Sequence, residues 1–246
     1  MVKKSTGARD IIRAETAARA FLHQHFPNCL AAFLAGSAIR GEATPTSDLD
    51  IVILTEQENA PYRESFEDYG WLIEAFVHTT SSYKDFFASD VKRRRPSLPS
   101  MCAEGLILKD TNGLAEEAKK EAQDLLRAGP PPLSQEDLDA SRYALTDVLD
   151  DFIGAQSHAK ALFVAADLIN LTAESILDVN NHWRGRGKWN LRRLREGDGD
   201  LAEQFVTALD IFYKREDRAL FVTFVETMLA AHGGRLFAGY SAGKQQ

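Results

Sequence analysis

The sequence predicts an α+β fold in which a small β-sheet with flanking helices is followed by an antiparallel helical bundle. Apolar runs of strand length occur only in the first half of the chain. The run GPPPL at residues 129–133 then interrupts the chain, and its three prolines favour a stiff extended linker. Beyond it, apolar residues recur at helical spacing. We therefore predict a first domain at residues 1–128, a linker at 129–133 and a helical domain at 134–240.

The elements of the first domain follow from its apolar pattern. Apolar pairs recur at helical spacing before Pro27, and the short apolar runs that come after it are typical of buried strands. The predicted elements are, in chain order, a helix at residues 6–26, strands at 30–34, 48–54 and 72–78, a helix around Phe86 and Phe87, a strand at 106–108, and a helix at 115–126.

The helical domain opens on a capping signal. Ser134 precedes a helical pattern and Asp137 follows three residues later, which is the spacing of a helix N-cap. The predicted helices are one that starts after Ser134 and carries apolar residues as far as Phe152, one with apolar residues over 162–177, and two around 201–213 and 219–231. Their spacing fits an antiparallel bundle.

Composition excludes several classes of function. The formal net charge is −7, so no bulk attraction to nucleic acid or to an anionic membrane is expected. Cys29 and Cys102 are isolated and lack the spacing of metal ligands, which favours buried thiols in a reducing compartment. We see neither a signal-peptide pattern nor a run of membrane-spanning length. These features predict a soluble cytoplasmic protein.

Two carboxylates at the start of the second predicted strand are the most informative feature. In LAGSAIRGEATPTSDLDIVIL, Gly36 and Ser37 follow one apolar run, and Asp48 and Asp50 open the next. Strand side chains alternate between faces, so the two acids point the same way and repel each other. A divalent cation relieves that repulsion, and Mg²⁺ prefers carboxylate and phosphate oxygens. The Gly-Ser turn, predicted to open a helix, offers a bare backbone and a hydroxyl to phosphates. The pattern predicts a metal-dependent nucleoside triphosphate site.

This order of Gly-Ser, a gap and Asp-x-Asp on a strand resembles the polymerase-beta-like nucleotidyltransferase superfamily. The resemblance implies a small mixed sheet and a nucleotidyltransferase domain at residues 1–128. It also implies that two Mg²⁺ ions assist transfer of a nucleoside monophosphate, AMP from ATP, to an acceptor hydroxyl with release of pyrophosphate. A third carboxylate is expected on a later strand, and Glu74 in the apolar run WLIEAFV is the candidate. Asp85 and Asp90 are weaker candidates because they lie in a helix-like stretch.

The resemblance also implies roles for individual residues. Asp48 and Asp50 would carry the metals, and Glu74 would complete the metal site or act as general base. The expected nucleotide-binding residues are Gly36, Ser37, Arg40, Ser47 and Lys188. For Arg40, which lies one turn beyond Ser37 if a helix starts there, a solvated helix position is the alternative.

Lys188 belongs to a cluster of cations and tryptophans at residues 182–189, between two predicted bundle helices. We predict that Lys188 contacts the triphosphate while a tryptophan packs on the base or the acceptor. The alternative is that the cations favour a helix C-terminus and the tryptophans cap the core. Acids at helical spacing on the bundle would suit a polycationic acceptor, or would simply form a solvated face. They are Asp147, Asp151, Asp167, Glu174 and Asp178.

The two-part organisation resembles the aminoglycoside and lincosamide nucleotidyltransferases, in which a C-terminal helical bundle helps to form the acceptor pocket. The leading hypothesis is therefore an enzyme that adenylylates a hydroxyl of a small molecule such as an aminoglycoside antibiotic. A second hypothesis is nucleotidylation of a protein partner, which antitoxin-type members of the superfamily resemble. A third is a nucleotide-binding regulatory module without catalysis, which the repelling acid pair disfavours.

Overall fold

The computed structural model describes residues 7–56 and 59–243 and divides the chain into two compact units, Met1–Ala128 and Gly129–Gln246. The described elements of the first unit include both strands and helices. They are α1 Gly7–His25, β1 Ala31–Ala35, β2 Leu49–Thr55, β3 Tyr62–Asp68, β4 Trp71–Thr79, α2 Ser82–Lys92, α3 Ser97–Glu104, β5 Leu106–Asp110 and α4 Leu114–Ala128. The predicted α+β class is confirmed. Thr6, where the first predicted helix begins, lies outside the described residues.

The strands of the first unit form one mixed sheet in the order β3-β4-β2-β1-β5. β2 and β4 are parallel, whereas the other neighbouring pairs are antiparallel. This register sets Asp50 on β2 beside Ala35 at the end of β1 and beside Glu74 on β4. The ends of three strands therefore meet around one carboxylate.

Each face of the sheet is covered by a separate apolar core. Ile51 and Ile53 of β2 pack with Phe21 of α1 on one face, and Val52 and Leu54 pack with residues of α2, α3 and α4 on the other. Side chains alternate along a strand, so Asp50 lies on the same face as Val52 and Leu54. It occupies the end of that face, where the apolar core stops.

The structure contains elements that the sequence pattern did not reveal. Strand β3 has the polar sequence YRESFED, and most of its side chains are exposed because it is the edge strand. Helix α3 carries Pro96 at its N-cap and Pro99 in its first turn, where proline is tolerated. Helix α7 has only Asn190 and Leu194 buried. Each of these three elements lacks a clear periodic pattern of apolar residues, and for this reason the sequence did not predict it.

The helix predicted to start at the Gly-Ser turn is absent, and this expectation was wrong. Residues 37–41 form a turn in which the backbone N–H groups of Arg40 and Glu42 both donate to the Ser37 carbonyl, at 3.2 and 3.1 Å. Gly41 has a positive φ of 70°, which is incompatible with a continuing α-helix. Strand β2 begins at Leu49, so Asp48 immediately precedes it.

The second unit is helical throughout its described elements, as predicted. They are α5 Gln135–Gly154, α6 His158–Val179, α7 Lys188–Gly197, α8 Gly199–Arg215 and α9 Ala219–Ala231. The Ser134 hydroxyl accepts a hydrogen bond from the Asp137 N–H, and the Asp137 carboxylate accepts one from the Ser134 N–H. The predicted N-cap is therefore part of a capping box. The helices enclose one apolar cluster that includes Phe152, Phe212 and Phe221.

Two further predictions concern the chain as a whole. Cys29 and Cys102 are both free and buried, and burial raises the pKa of both thiols, that of Cys102 to about 12. They are therefore inert core residues at neutral pH. Among the described helices, none combines the length and apolarity needed to cross a bilayer.

Candidate active site

Three carboxylates of the first unit converge at one end of the sheet. Asp48, Asp50 and Glu74 each present an oxygen atom, and these oxygens all lie within 4.8 Å of one another. Two elements create the convergence: β2 carries Asp50 with Asp48 just before it, and β4 aligns Glu74 beside Asp50 in parallel register. The structure thus brings together the acids that the sequence pattern singled out.

The electrostatics of this acid cluster favour a bound cation. Desolvation, together with the nearby Asp48 and Glu74 charges, raises the pKa of Asp50 to about 6 against smaller opposing effects of Arg40 and Arg63. Like charges held this close are costly unless a cation sits among them. The donors are hard carboxylate oxygens, which match Mg²⁺ or Mn²⁺. The residues present therefore fit a divalent metal.

Gly36 contacts the cluster through its backbone. It has a φ of +84°, and a Cβ added there would lie 2.4 Å from Asp50 Oδ2. Both the conformation and the space exclude a side chain. Gly36 thus lets the end of β1 approach the Asp50 carboxylate directly, and the requirement for glycine at this position is physical.

A hydroxyl pair links the Gly-Ser turn to the segment that leads into β2. The Ser37 hydroxyl donates to the Ser47 Oγ at 3.0 Å, and Ser47 Oγ also accepts from the Thr44 N–H at 2.8 Å. Ser37 follows Gly36, and Ser47 precedes Asp48. Two predicted nucleotide-binding residues are therefore neighbours of each other and of the acid cluster.

Arg40 lies on the same turn with a side chain that is 18% exposed. It pairs with Glu42 at 3.0 Å and with Glu104 at 3.6 Å. The Arg40 and Glu42 N–H groups bond the Ser37 carbonyl within the turn and do not form the N-terminus of a helix. Binding of phosphate at this turn would therefore depend mainly on side chains. The nucleotide-binding role of Arg40 stays a prediction.

Arg63 is the residue near the cluster that sequence reasoning missed. It lies on β3 and forms an ion pair with Glu74, and its guanidinium lies 5.1 Å from the ring centroid of Phe76. The signal for it was weak, because the polar edge strand that carries it lacks a recognisable apolar alternation.

The weaker acidic candidates lie elsewhere in the first unit. Asp85 is exposed on α2. Asp90 is buried and accepts from the Leu98 N–H at 2.8 Å while pairing with Arg93, so it ties α2 to α3. In the basic run that ends α2, Lys92 and Arg93 are exposed, whereas Arg94 is buried.

The second unit holds the remaining predicted residues. Lys188 begins α7, with its ammonium 5.8 Å from the Trp189 ring, whereas Trp183 is buried. Arg184 pairs with Glu174 at 3.2 Å and also with Asp178, so two of the five bundle acids are neutralised within this unit. The other three, Asp147, Asp151 and Asp167, are exposed.

Comparisons with known proteins address the first unit directly. Residues 17–88 match the family model of the nucleotidyltransferase domain. This stretch contains Gly36, Ser37, Arg40, Ser47 and the three clustered acids, and Lys188 lies outside it. No curated protein matches the sequence. A solved nucleotidyltransferase-like protein from Exiguobacterium sibiricum is similar at 12% identity and a TM-score of 0.45, over 88% of this chain and 74% of that chain.

The family match and the expected resemblance agree on the same stretch of chain. The model spans α1 to α2 and so includes both strands that carry the acids. Residues 17–88 thus form a nucleotidyltransferase domain.

Proposed function

We propose that the protein transfers AMP from ATP to a hydroxyl of a small molecule and releases pyrophosphate in a divalent-metal-dependent reaction. The observation that carries this proposal is the convergence of the Asp48, Asp50 and Glu74 oxygens within 4.8 Å, inside the nucleotidyltransferase domain. A nucleotide-binding module without catalysis would gain nothing from keeping three mutually repelling carboxylates.

Asp48, Asp50 and Glu74 would hold the metal, two Mg²⁺ ions in the full complex. When bound, the metal supplies charge neutralisation for the reacting and leaving oxygens. In the transfer, the acceptor hydroxyl would give its proton to a base, for which Glu74 is the candidate. Its oxygen would form a bond to the α-phosphorus of ATP, and the bond from that phosphorus to the oxygen it shares with the β-phosphate would break, so that pyrophosphate leaves. Positioning and electrostatic stabilisation account for most of the acceleration in such transfers.

The Gly-Ser turn would hold the β- and γ-phosphates. Gly36 leaves the backbone bare beside Asp50, and the Ser37 hydroxyl, now paired with Ser47, lies beside it. The Arg40 guanidinium would add positive charge to the same phosphates. Lys188 stays a predicted nucleotide-binding residue, and a Lys188→Ala variant with a raised KM for ATP and unchanged folding would support that role.

For the acceptor we propose a hydroxyl-bearing small molecule of the aminoglycoside type. The exposed Asp147 and Asp151 lie one helical turn apart on α5 and suit a polycation. Glu174 and Asp178 contribute less to such a surface, because Arg184 already balances their charge.

The test is pyrophosphate release from Mg·ATP across a panel of aminoglycosides and lincosamides. The Asp50→Asn variant should lose release, whereas Asp85→Asn, which removes an exposed acid of α2, should retain it. Release with one compound and its loss in Asp50→Asn identify both reaction and acceptor class. Full turnover by Asp50→Asn would exclude the assignment. ATP binding without release would redirect the search to protein acceptors.

A further inference from the structure

A row of charges crosses three adjacent strands beside the acid cluster. In the antiparallel register of β3 and β4, Ser65 lies opposite Glu74 and Arg63 lies opposite Phe76. Arg63 is therefore a diagonal neighbour of Glu74 on the same face of the sheet, within the span that a long side chain covers. Glu74 in turn lies beside Asp50 on β2. The row thus consists of one cation followed by two acids.

The Arg63 guanidinium contacts the Glu74 carboxylate but remains exposed to solvent. Arg63 forms an ion pair with Glu74 and rests over the Phe76 ring at 5.1 Å. Its side chain is 60% exposed, whereas that of Glu74 is 19% exposed. The guanidinium can therefore turn away into solvent without opening the core, while the Glu74 carboxylate stays in place.

An oxygen of Glu74 also completes the cluster proposed to bind the metal. A guanidinium in contact with that carboxylate neutralises part of its charge and repels an incoming dication. Arg40 contacts Glu42 and Glu104, which lie outside the cluster, whereas Arg63 contacts Glu74, which belongs to it. Arg63 and the metal thus compete for one carboxylate.

We propose that Arg63 is a positioning residue that holds Glu74 in the metal-free protein, competes with the divalent cation for it, and moves to the polyphosphate of the bound metal–nucleotide complex. This inference rests on the proposed function and extends it. The competition from Arg63 weakens binding of the metal alone. The metal–nucleotide complex binds more tightly, because the nucleotide offers the displaced guanidinium a new anionic partner.

The first measurement is Mn²⁺ affinity without nucleotide at pH 8, by electron paramagnetic resonance of the free ion. Arg63→Gln should bind Mn²⁺ roughly 3- to 10-fold more tightly than the unsubstituted protein. Arg63→Lys keeps the charge without the planar fork and should fall between the two. The matched control is Arg127→Gln, which removes an exposed arginine paired with Asp124 on α4 and should leave the affinity within about twofold.

A double-mutant cycle isolates the pair. In a Glu74→Gln background, Arg63→Gln should no longer tighten Mn²⁺ binding, because its partner is gone. With Mg²⁺ and α,β-methylene-ATP present, Arg63→Gln should bind the nucleotide several-fold more weakly. An unchanged Mn²⁺ affinity in Arg63→Gln, an equal gain in the Glu74→Gln background, or unchanged nucleotide affinity would overturn the inference.

These results separate the inference from the proposed function. If the unsubstituted protein binds Mn²⁺ and Asp50→Asn does not, the metal site stands even when Arg63→Gln has no effect. If neither the unsubstituted protein nor Arg63→Gln binds Mn²⁺, both proposals fail. Circular dichroism of each variant confirms folding, which the exposure of Arg63 leads us to expect.

Discussion

Gly36 and Asp50 lie in contact across the ends of β1 and β2, so close that a Cβ on Gly36 would stand 2.4 Å from Asp50 Oδ2. The antiparallel register that pairs Ala35 with Asp50 produces this approach. A single methyl group at position 36 would therefore displace the central carboxylate of the acid cluster, and this makes glycine part of the site.

Gly36→Ala is expected to lose at least tenfold in Mn²⁺ affinity and in turnover, besides about 1 kcal/mol of stability from the positive φ. Gly113→Ala is the matched control, because Gly113 has a φ of +81° but nothing within 4 Å of an added Cβ. The control should show the stability loss alone. Equal effects of the two substitutions on metal binding, measured by calorimetry, would contradict the argument.

The metal-free protein should be less stable at neutral pH because of Asp50. Its pKa is raised to about 6 by burial and by its acidic neighbours, so the folded protein holds the proton more tightly than the unfolded chain does. The favourable contribution of protonated Asp50 is complete below the unfolded pKa and is lost as the pH rises to about 6. Asp50→Asn should then stabilise the metal-free protein at pH 8 by about 1–2 kcal/mol.

Denaturant unfolding at a series of pH values checks this. The gain in unfolding free energy from Asp50→Asn should increase between about pH 4 and pH 6 and stay constant at higher pH. Added Mg²⁺ should reverse the order, because it stabilises the unsubstituted protein and not the variant. A pH-independent difference would show that Asp50 titrates normally in the fold.

The hydroxyl pair of Ser37 and Ser47 should govern nucleotide binding more than folding. Ser37→Ala removes the 3.0 Å bond to Ser47 together with the hydroxyl proposed to bind phosphate. We expect kcat/KM for ATP to fall about tenfold, mainly through KM. Thr46→Ala, on the same exposed segment, serves as the control and should change kcat/KM for ATP less than twofold. A pure loss of stability with normal kinetics would assign Ser37 a structural role only.

Arg184 should be the most important ion-pair residue of the second unit. It bonds the Asp178 carboxylate through its Nε at 2.7 Å, and the Asp178 side chain is fully buried. Arg184→Ala would remove this guanidinium from a buried carboxylate and is expected to cost about 3 kcal/mol of unfolding free energy. The exposed pair of Arg127 and Asp124 should contribute less than about 0.5 kcal/mol.

Thermal or urea unfolding of these variants measures the difference. Adding Asp178→Asn to Arg184→Ala should recover part of the loss, since the buried charge is then removed with its partner. If Arg184→Ala and Arg127→Ala had equal effects, burial of Asp178 would not be what makes the pair important.

The strand that carries Asp50 and the strand that carries Glu74 were both predictable. Each strand is an apolar run that contains one acid, and such an acid can be recognised from the apolar residues next to it in the sequence. The cap at Ser134 was equally local, since it depends on a partner three residues away. The turn after Gly36 was mistaken for a helix start, because the sequence shows the glycine and serine but not the positive φ at Gly41 that ends the turn.

The sequence by itself therefore determined the class of fold, the helical character of the second half and the acids of the site, because periodicity and close spacing are properties of short segments. Only the tertiary structure decided that Glu74 stands beside Asp50, that Gly36 touches Asp50, and that Arg63 pairs with Glu74. Those relationships depend on strand order and register, which arise from the packing of distant segments. β3 owes its place to the hydrogen bonds offered by β4 rather than to any apolar pattern of its own.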